Sequence, residues 1–307
     1  MKALVTGGQG FIGGHLVDAL LSDGVKVLVM DNQSNSSHET FYTNKEAKYY
    51  RVSAFDHKGC RDFFQENQDL DYVYHLAAES RIPVCNEDPA NSYVNNVVSV
   101  CNMLQYSKWL NIKRFIFSSS CAVYDLSNQP PLEESMSTGV LNPYAASKIA
   151  GEELCQMYYK LYEVPTVTLR YFNVYGPRAP KKAAEAPVVS KLIEQRKTNT
   201  RLSVMGNGEQ TRDFIHVDDV VRANILAATC DSSKVNGEIF NVGTGKETSI
   251  NELIRMIHSS PKYDWYPARR GECSRSLANI NKIKKILKWE PEKSLKLFVE
   301  KELDILD

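Results

Sequence analysis

Short runs of apolar, β-branched residues alternate with longer amphipathic stretches up to Phe172. Ala3-Leu4-Val5 reads as a strand; a helical pattern from about Phe11 to Leu21 follows, which Gly24 can end by supplying the C-cap conformation. Val25–Met30, Tyr72–Leu76, Arg114–Phe117 and Thr166–Arg170 read as further strands. Between them lie long helical patterns near 88–110 and 143–162. This alternation predicts an α/β fold with a doubly wound parallel sheet, covered by helices on both faces. After Gly176-Pro177-Arg178 the rhythm loosens, and 181–185 reads as a surface loop. Glu238–Val242 is one more buried-strand pattern, so the two parts of the chain are expected to interlace.

Composition narrows the function. The chain has 307 residues, and its 37 basic residues balance its 37 acidic ones. A general nucleic-acid binder carries a basic surplus, and none is visible. No apolar run reaches the ~18 residues of a membrane span, and the start runs straight into a strand and a glycine loop, leaving no room for a signal peptide. The seven cysteines are scattered, with no CxxC and no zinc-ligand spacing. The expectation is a reduced, cytoplasmic protein that binds neither metal, membrane nor nucleic acid.

Thr6-Gly7-Gly8-Gln9-Gly10-Phe11-Ile12-Gly13 separates the first strand from the first helix. Glycines there allow a tight turn and let backbone N–H groups approach a pyrophosphate, to which the helix N-terminus adds partial positive charge. Asp31 ends the second strand, where a carboxylate can accept from both ribose hydroxyls. No arginine or lysine in 32–37 awaits a 2′-phosphate, so NAD is favoured over NADP.

Asn142-Pro143-Tyr144-Ala145-Ala146-Ser147-Lys148 opens a helix, with Asn142 as N-cap and Pro143 at the first position. Tyr144 and Lys148 then lie one turn apart on one face, where a cation can stabilise a phenolate. Phe117-Ser118-Ser119-Ser120 places hydroxyls at a strand end, where open parallel sheets bind ligands. No G-x-S-x-G elbow surrounds them, which argues against a hydrolase nucleophile.

Together with His75-Leu76-Ala77-Ala78, Arg170 to Pro177, Gly206 to Phe214 and Arg269-Arg270-Gly271-Glu272, these motifs resemble the extended short-chain dehydrogenases/reductases. The branch is that of the NAD-dependent nucleotide-sugar epimerases and dehydratases, and the resemblance covers nearly the whole chain. It implies a Rossmann dinucleotide-binding domain over 1–177. A smaller, interlaced α/β domain over 178–307 would be mainly substrate-binding, with about 214–243 returning to the first. By resemblance Tyr144 is the catalytic base, Lys148 anchors the nicotinamide ribose and lowers the Tyr144 pKa, and Ser120 bonds the reacting sugar hydroxyl. NAD would be held by Gly7, Gly10, Phe11, Ile12, Gly13, Asp31, Asn32, Asn35 and Ser36. Phe55, Asp56, Leu76, Ala77, Ala78, Ser80, Asn96, Ser118, Tyr171 and Phe172, with Tyr144 and Lys148, would complete that site.

The family's 4,6-dehydratases carry an Asp-Glu pair just after the catalytic hydroxyl, and its decarboxylases a glutamate at the second position. Here Cys121 and Ala122 stand there, which favours C4 epimerisation, although Ala77-Ala78-Glu79-Ser80 resembles the dehydratase version of that loop. A UDP-glucuronate epimerase or decarboxylase, a dehydratase, and a non-catalytic NAD-binding sensor are the alternatives. The implied substrate is a nucleoside-diphosphate sugar, taken as UDP-linked. Asn173, Arg212 and Arg269 would hold the diphosphate and ribose with Glu272, while Val188, Val189 and Met205 cover the base. Ser276 would face C2 of the hexose alongside Ser120 and Tyr144, and its small side chain leaves room for an N-acetyl group. Asp125 stands where the family has a glycine, which calls for a left-handed turn. Family members commonly pair through the two long helices, so a homodimer is expected.

Overall fold

The computed structural model describes residues 1–35, 41–181, 186–231, 233–268 and 273–303. Six strands alternate with helices through the first half: β1 (Lys2–Thr6), β2 (Lys26–Met30), β3 (Lys48–Tyr50), β4 (Tyr72–His75), β5 (Arg114–Ser120) and β6 (Thr166–Tyr171). The helices are α1 (Phe11–Ser22), α2 (His57–Glu66), α3 (Ile82–Glu87), α4 (Pro89–Tyr93), α5 (Ser99–Leu110) and α6 (Pro143–Tyr162). The second half contributes β7 (Asn173–Tyr175), α7 (Val188–Lys197), β8 (Leu202–Met205), β9 (Thr211–His216), α8 (Val217–Thr229) and β10 (Glu238–Val242). It ends with β11 (Glu247–Ser249), α9 (Ile250–Ile257), β12 (Tyr263–Tyr266), β13 (Arg275–Ser276), α10 (Asn281–Leu287) and α11 (Leu295–Leu303).

The large sheet has the order β10-β6-β5-β4-β1-β2-β3, and every pairing in it is parallel. Because side chains alternate across a strand, Ala3 and Val5 pack on one face with α1 and α8, while Leu4 packs on the other with α2, α5 and α6. The order reverses between β1 and β4, so a crevice opens at their C-terminal ends. Of the stretch about 214–243, residues through His216 lie in the second sheet; Val217–Val242 supplies α8 and β10 to the large one. The second sheet pairs β9 with β7, β11 and β13, and β8 pairs with β12 beside it. A separate core of Val189, Leu192, Ile193, Val204, Leu253 and Ile254 fills the space between these strands and α7, α9 and α11.

Three local expectations need correction. The 88–110 helix is interrupted by a π-turn at Val94–Val98, where Asn96 is buried. Val188 and Val189, expected to cover the base, begin a helix, and Val189 is buried in the second core. The left-handed turn expected of Asp125 does not form. Its carboxylate instead accepts from the Ser127 N–H at 2.8 Å, and Gly139 supplies the room, since a Cβ there would lie 2.4 Å from Asp125 Oδ2. Gly24 does adopt the left-handed conformation, φ 72°, just after α1. The 182–185 part of the expected surface loop lies outside the described residues.

Candidate active site

The crevice holds a cavity of about 700 Å³ that runs from the ends of β2 and β3 past the glycine loop to α6. Gly7 has φ 69°, and a Cβ on it would lie 2.9 Å from the Ala77 nitrogen. At Gly13 a Cβ would meet the Gly7 carbonyl oxygen at 2.2 Å. Only glycine permits this turn, and α1 opens at Gly10 with no side chain capping its N–H groups. The Asp31 carboxylate faces the cavity and accepts from the Gln9 and Gln33 N–H groups at 3.0 and 2.8 Å. A backbone cradle at a helix N-terminus, with a carboxylate at the end of the next strand, fits a dinucleotide.

A chain of buried hydrogen bonds fixes the far wall. The Ala77 N–H donates to Thr6 Oγ1 at 3.1 Å, and Thr6 Oγ1 lies 2.8 Å from His75 Nδ1. Ser99 gives its proton to the Asn95 carbonyl, so His75 Nε2, 3.3 Å from Ser99 Oγ, is the protonated nitrogen and Nδ1 accepts from Thr6. Burial holds the His75 pKa down to about 3, which keeps the ring neutral and the tautomer fixed.

At the other end, Asn142 caps α6 by accepting from the Ala145 N–H at 2.9 Å, and Pro143 occupies the first turn. Tyr144 and Lys148 both line the cavity. Lys148 Nζ donates to the Ser118 carbonyl at 2.7 Å and stands 5.9 Å from the centre of the Tyr144 ring. Burial pulls the ammonium down to about 8. Burial also pushes the Tyr144 phenol above its ordinary range, and the neighbouring Ser120 hydroxyl opposes the rise. Lys148 is expected to lower the Tyr144 pKa together with the bound cofactor; in the chain alone one ammonium proton goes to the Ser118 carbonyl, and the hydroxyl of Ser120 is what opposes the rise. Tyr171 gives its proton to Asn224 Oδ1 at 2.9 Å, so Ser118 donates to Tyr171, also at 2.9 Å.

Behind this face, Glu152 lies one turn beyond Lys148. It accepts from Ser119 Oγ at 2.5 Å and from Arg170 Nε and Nη2 at 2.9 and 2.6 Å, all of them buried. Asn96 accepts from the Glu79 N–H at 2.7 Å and donates to both the Glu79 carbonyl and Ser147 Oγ at 2.9 Å. It thereby ties the loop after β4 to α6.

The expected cofactor residues Gly7, Gly10, Phe11, Ile12, Gly13, Asp31, Asn32, Asn35, Phe55, Leu76, Ala77, Ala78, Ser80, Ser118, Tyr144, Lys148 and Tyr171 all line the cavity. Asp56 instead caps α2 by accepting from the Lys58 N–H, and Phe172 is buried in the core against Tyr124. Asn96 acts through the backbone contacts just described. Ser120 accepts from the Ala122 N–H at 3.2 Å beside Tyr144. Asn173 donates to the Asp213 carbonyl, and Arg212 is buried in β9. Ser276 is only 2% exposed, with Oγ 3.9 Å from Cys121 Sγ, so it belongs to the interior behind Ser120 rather than to the surface. Ser36, Arg269 and Glu272 lie outside the described residues.

Sequence reading missed Phe41, Arg81, Pro180 and Pro187, which reach the cavity from three separate segments. Arg81 closes on Glu79 through Nε at 2.9 Å and Nη2 at 2.6 Å. The Ala77-Ala78-Glu79-Ser80 loop was the one available hint. Among the described residues no helix is long and apolar enough to cross a membrane, and no His/Cys/Asp/Glu cluster could hold a metal ion.

Residues 3–243 match the model of the NAD dependent epimerase/dehydratase family. The chain is 36% identical over 302 residues, 95% of its length and 94% of the relative's, to a putative UDP-glucose 4-epimerase of Methanocaldococcus jannaschii. Its fold superposes on the crystal structure of the Thermotoga maritima UDP-glucose 4-epimerase with UDP-glucose, at TM-score 0.93 and 33% identity over 100% of both chains. It also matches the UDP-N-acetylglucosamine 4-epimerase of Methanobrevibacter ruminantium in complex with UDP-N-acetylmuramic acid. That match has TM-score 0.90 and 33% identity, covering 99% of this chain and 97% of the other. With its glycine cradle, Asp31 and the Tyr144–Lys148 pair arranged around one groove, the chain belongs to the NAD-dependent epimerase/dehydratase family, and NAD is its cofactor.

Proposed function

We propose that this protein interconverts a UDP-hexose and its C4 epimer, with the N-acetylated pair UDP-N-acetylglucosamine and UDP-N-acetylgalactosamine among its substrates. One observation carries the choice of reaction. Tyr144 and Lys148 line the end of the cavity and Ser120 meets the Tyr144 phenol, while the two positions after Ser120 are Cys121 and Ala122. Burial pushes the Cys121 thiol up to about 12, so it stays protonated at neutral pH. Elimination of water across C5 and C6 needs a paired acid and base, and these side chains offer none.

Bound NAD supplies a hydride acceptor and donor for C4. Tyr144 takes the proton of the C4 hydroxyl as the phenolate and returns it after the 4-keto sugar has turned over. Ser120 bonds the same sugar oxygen and steadies the charge that passes between it and Tyr144. Lys148 orients the nicotinamide ribose, and its charge favours the phenolate once the cofactor is in place. Asn173, Arg212 and Arg269 hold the diphosphate and ribose with Glu272, and Val188, Val189 and Met205 border the base.

Ser276 lies beside Cys121, the residue after Ser120, which supports placing it near the sugar, and the N-acetyl reading rests on its side chain being small. Residues 1–177 form the dinucleotide-binding domain in this reading, and 178–307 mainly the substrate-binding one. Exposed Tyr93, Val94, Val98, Met157 and Leu161 on the 89–110 segment and α6 support a homodimer built on those helices. The test follows purified protein and UDP-N-acetylglucosamine by proton NMR, without added oxidant. Appearance of UDP-N-acetylgalactosamine is expected; a 4-keto-6-deoxy product, or a requirement for NADP, overturns the reading.

A further inference from the structure

A cluster on the solvent side of α1 has no part in the chemistry above. Gly14 and Asp18 are one turn apart on that helix, with His15 beside them. Asp18 Oδ1 accepts from the Tyr42 hydroxyl at 3.0 Å and from the Asn44 amide at 2.8 Å, and Oδ2 accepts from Arg178 Nη2 at 2.7 Å. The Arg178 guanidinium carbon stands 3.7 Å from the centre of the Tyr42 ring. Gly14 leaves the space for both, since a Cβ there would come within 3.2 Å of Tyr42 and 3.5 Å of Arg178 Nη1. His15 Nε2 lies 3.0 Å from the Pro177 carbonyl oxygen, and the Asn44 N–H donates to the Tyr49 hydroxyl at 2.7 Å. Burial acts to raise the Asp18 pKa, yet the hydrogen bonds from Asn44, Arg178 and Tyr42 hold it below its ordinary value and keep the carboxylate charged.

The segments joined here border one groove. Tyr42 is next to Phe41, and Arg178 is two residues before Pro180; Phe41 and Pro180 both line the cavity. The helix between them is the one whose N-terminus faces the cofactor pyrophosphate. Arg178 has φ 63°, an unfavourable conformation for a residue with a side chain. An isolated exposed ion pair would contribute little. This one shares its carboxylate with two further donors and stacks its cation on an aromatic ring.

We propose that Arg178 is a positioning residue for cofactor retention: through Asp18 and Tyr42 it braces Phe41 and Pro180 against the groove and sets how fast NAD leaves. Release is followed by exchanging the protein's bound NAD against excess isotopically labelled NAD, with mass spectrometry of the gel-filtered protein. Arg178→Ala is expected to release NAD about tenfold faster, because such contacts act mainly on the dissociation rate. Arg178→Lys, which keeps the charge but not the planar stack, is expected to reverse part of that acceleration. Tyr42→Phe keeps the ring and loses only the bond to Asp18, and about a threefold acceleration is expected. Release from Arg178→Ala within twofold of wild type overturns the proposal, as does an acceleration that Arg178→Lys fails to reduce. Should Arg178→Ala not fold, unchanged release from Tyr42→Phe overturns it. No sugar nucleotide enters the assay, so its outcome is separate from that of the reaction proposed above.

Discussion

The two ends of the site are built from different materials. At the cofactor end, recognition is mostly main chain: the Gly7–Gly13 turn, the uncapped start of α1 and the loop after β4, held to β1 through Thr6 and His75. At the proposed substrate end it would fall to single side chains, Asn173, Arg212 and Ser276, delivered by separate strands of the second sheet. A main-chain site tolerates almost no substitution, because one Cβ collides with backbone. A side-chain site can be re-specified one residue at a time. In the proposed reading the shared chemistry of the family resides at the junction, on α6, and the choice of sugar beyond it.

Each part of that contrast can be broken. The largest effect belongs to the junction: Tyr144→Phe should lower turnover by ~10²–10⁴, the range for loss of a general base. NAD and UDP binding, measured by calorimetry, should survive; more than about a tenth of wild-type turnover would remove Tyr144 from its role. Next comes the cofactor end. Gly13→Ala puts a methyl group 2.2 Å from the Gly7 carbonyl oxygen, and NAD affinity should fall about a hundredfold, as expected for overpacking against backbone that cannot retreat. Wild-type affinity in that variant would mean that the turn is not the cofactor cradle. The smallest effect belongs to the substrate end. Ser276→Tyr should cut kcat/KM for the N-acetylated pair selectively, by about tenfold, as a modest pocket clash does. An equal loss on UDP-glucose and UDP-galactose would show that Ser276 does not face C2.

The same division explains what could be read from the sequence. Local geometry leaves local signatures: the glycine spacing, Asn142-Pro143 at the start of α6 and Gly24 after α1 all stand where the chain pattern put them. β3 left no comparable signal, since its three residues form an edge strand at the sheet's rim. Residues that reach the cavity through tertiary packing were equally silent. Phe41 and Pro180 have no motif of their own, and Arg81 owes its place to the Glu79 carboxylate and to Asn96 behind it. Asp56 and Phe172 are the converse. They stand at the right distance along the chain, but the fold uses one as a helix cap and the other as core.

The Glu152–Arg170 pair gives this arrangement one more property. Glu152 is gripped by Ser119 of β5 and Arg170 of β6, so α6 cannot roll about its axis without pulling a buried charge from its partner, which costs roughly 3–5 kcal/mol when such a pair is broken. Lys148 and Tyr144 ride one and two turns along the same helix. The aim of the phenol is therefore inherited from the sheet and owes nothing to the guest. If Tyr144 is the base proposed above, loops grafted onto the sugar side from a relative with other tastes would arrive at proton-transfer geometry already set, whereas repacking the strands beneath α6 would detune it for every substrate at once.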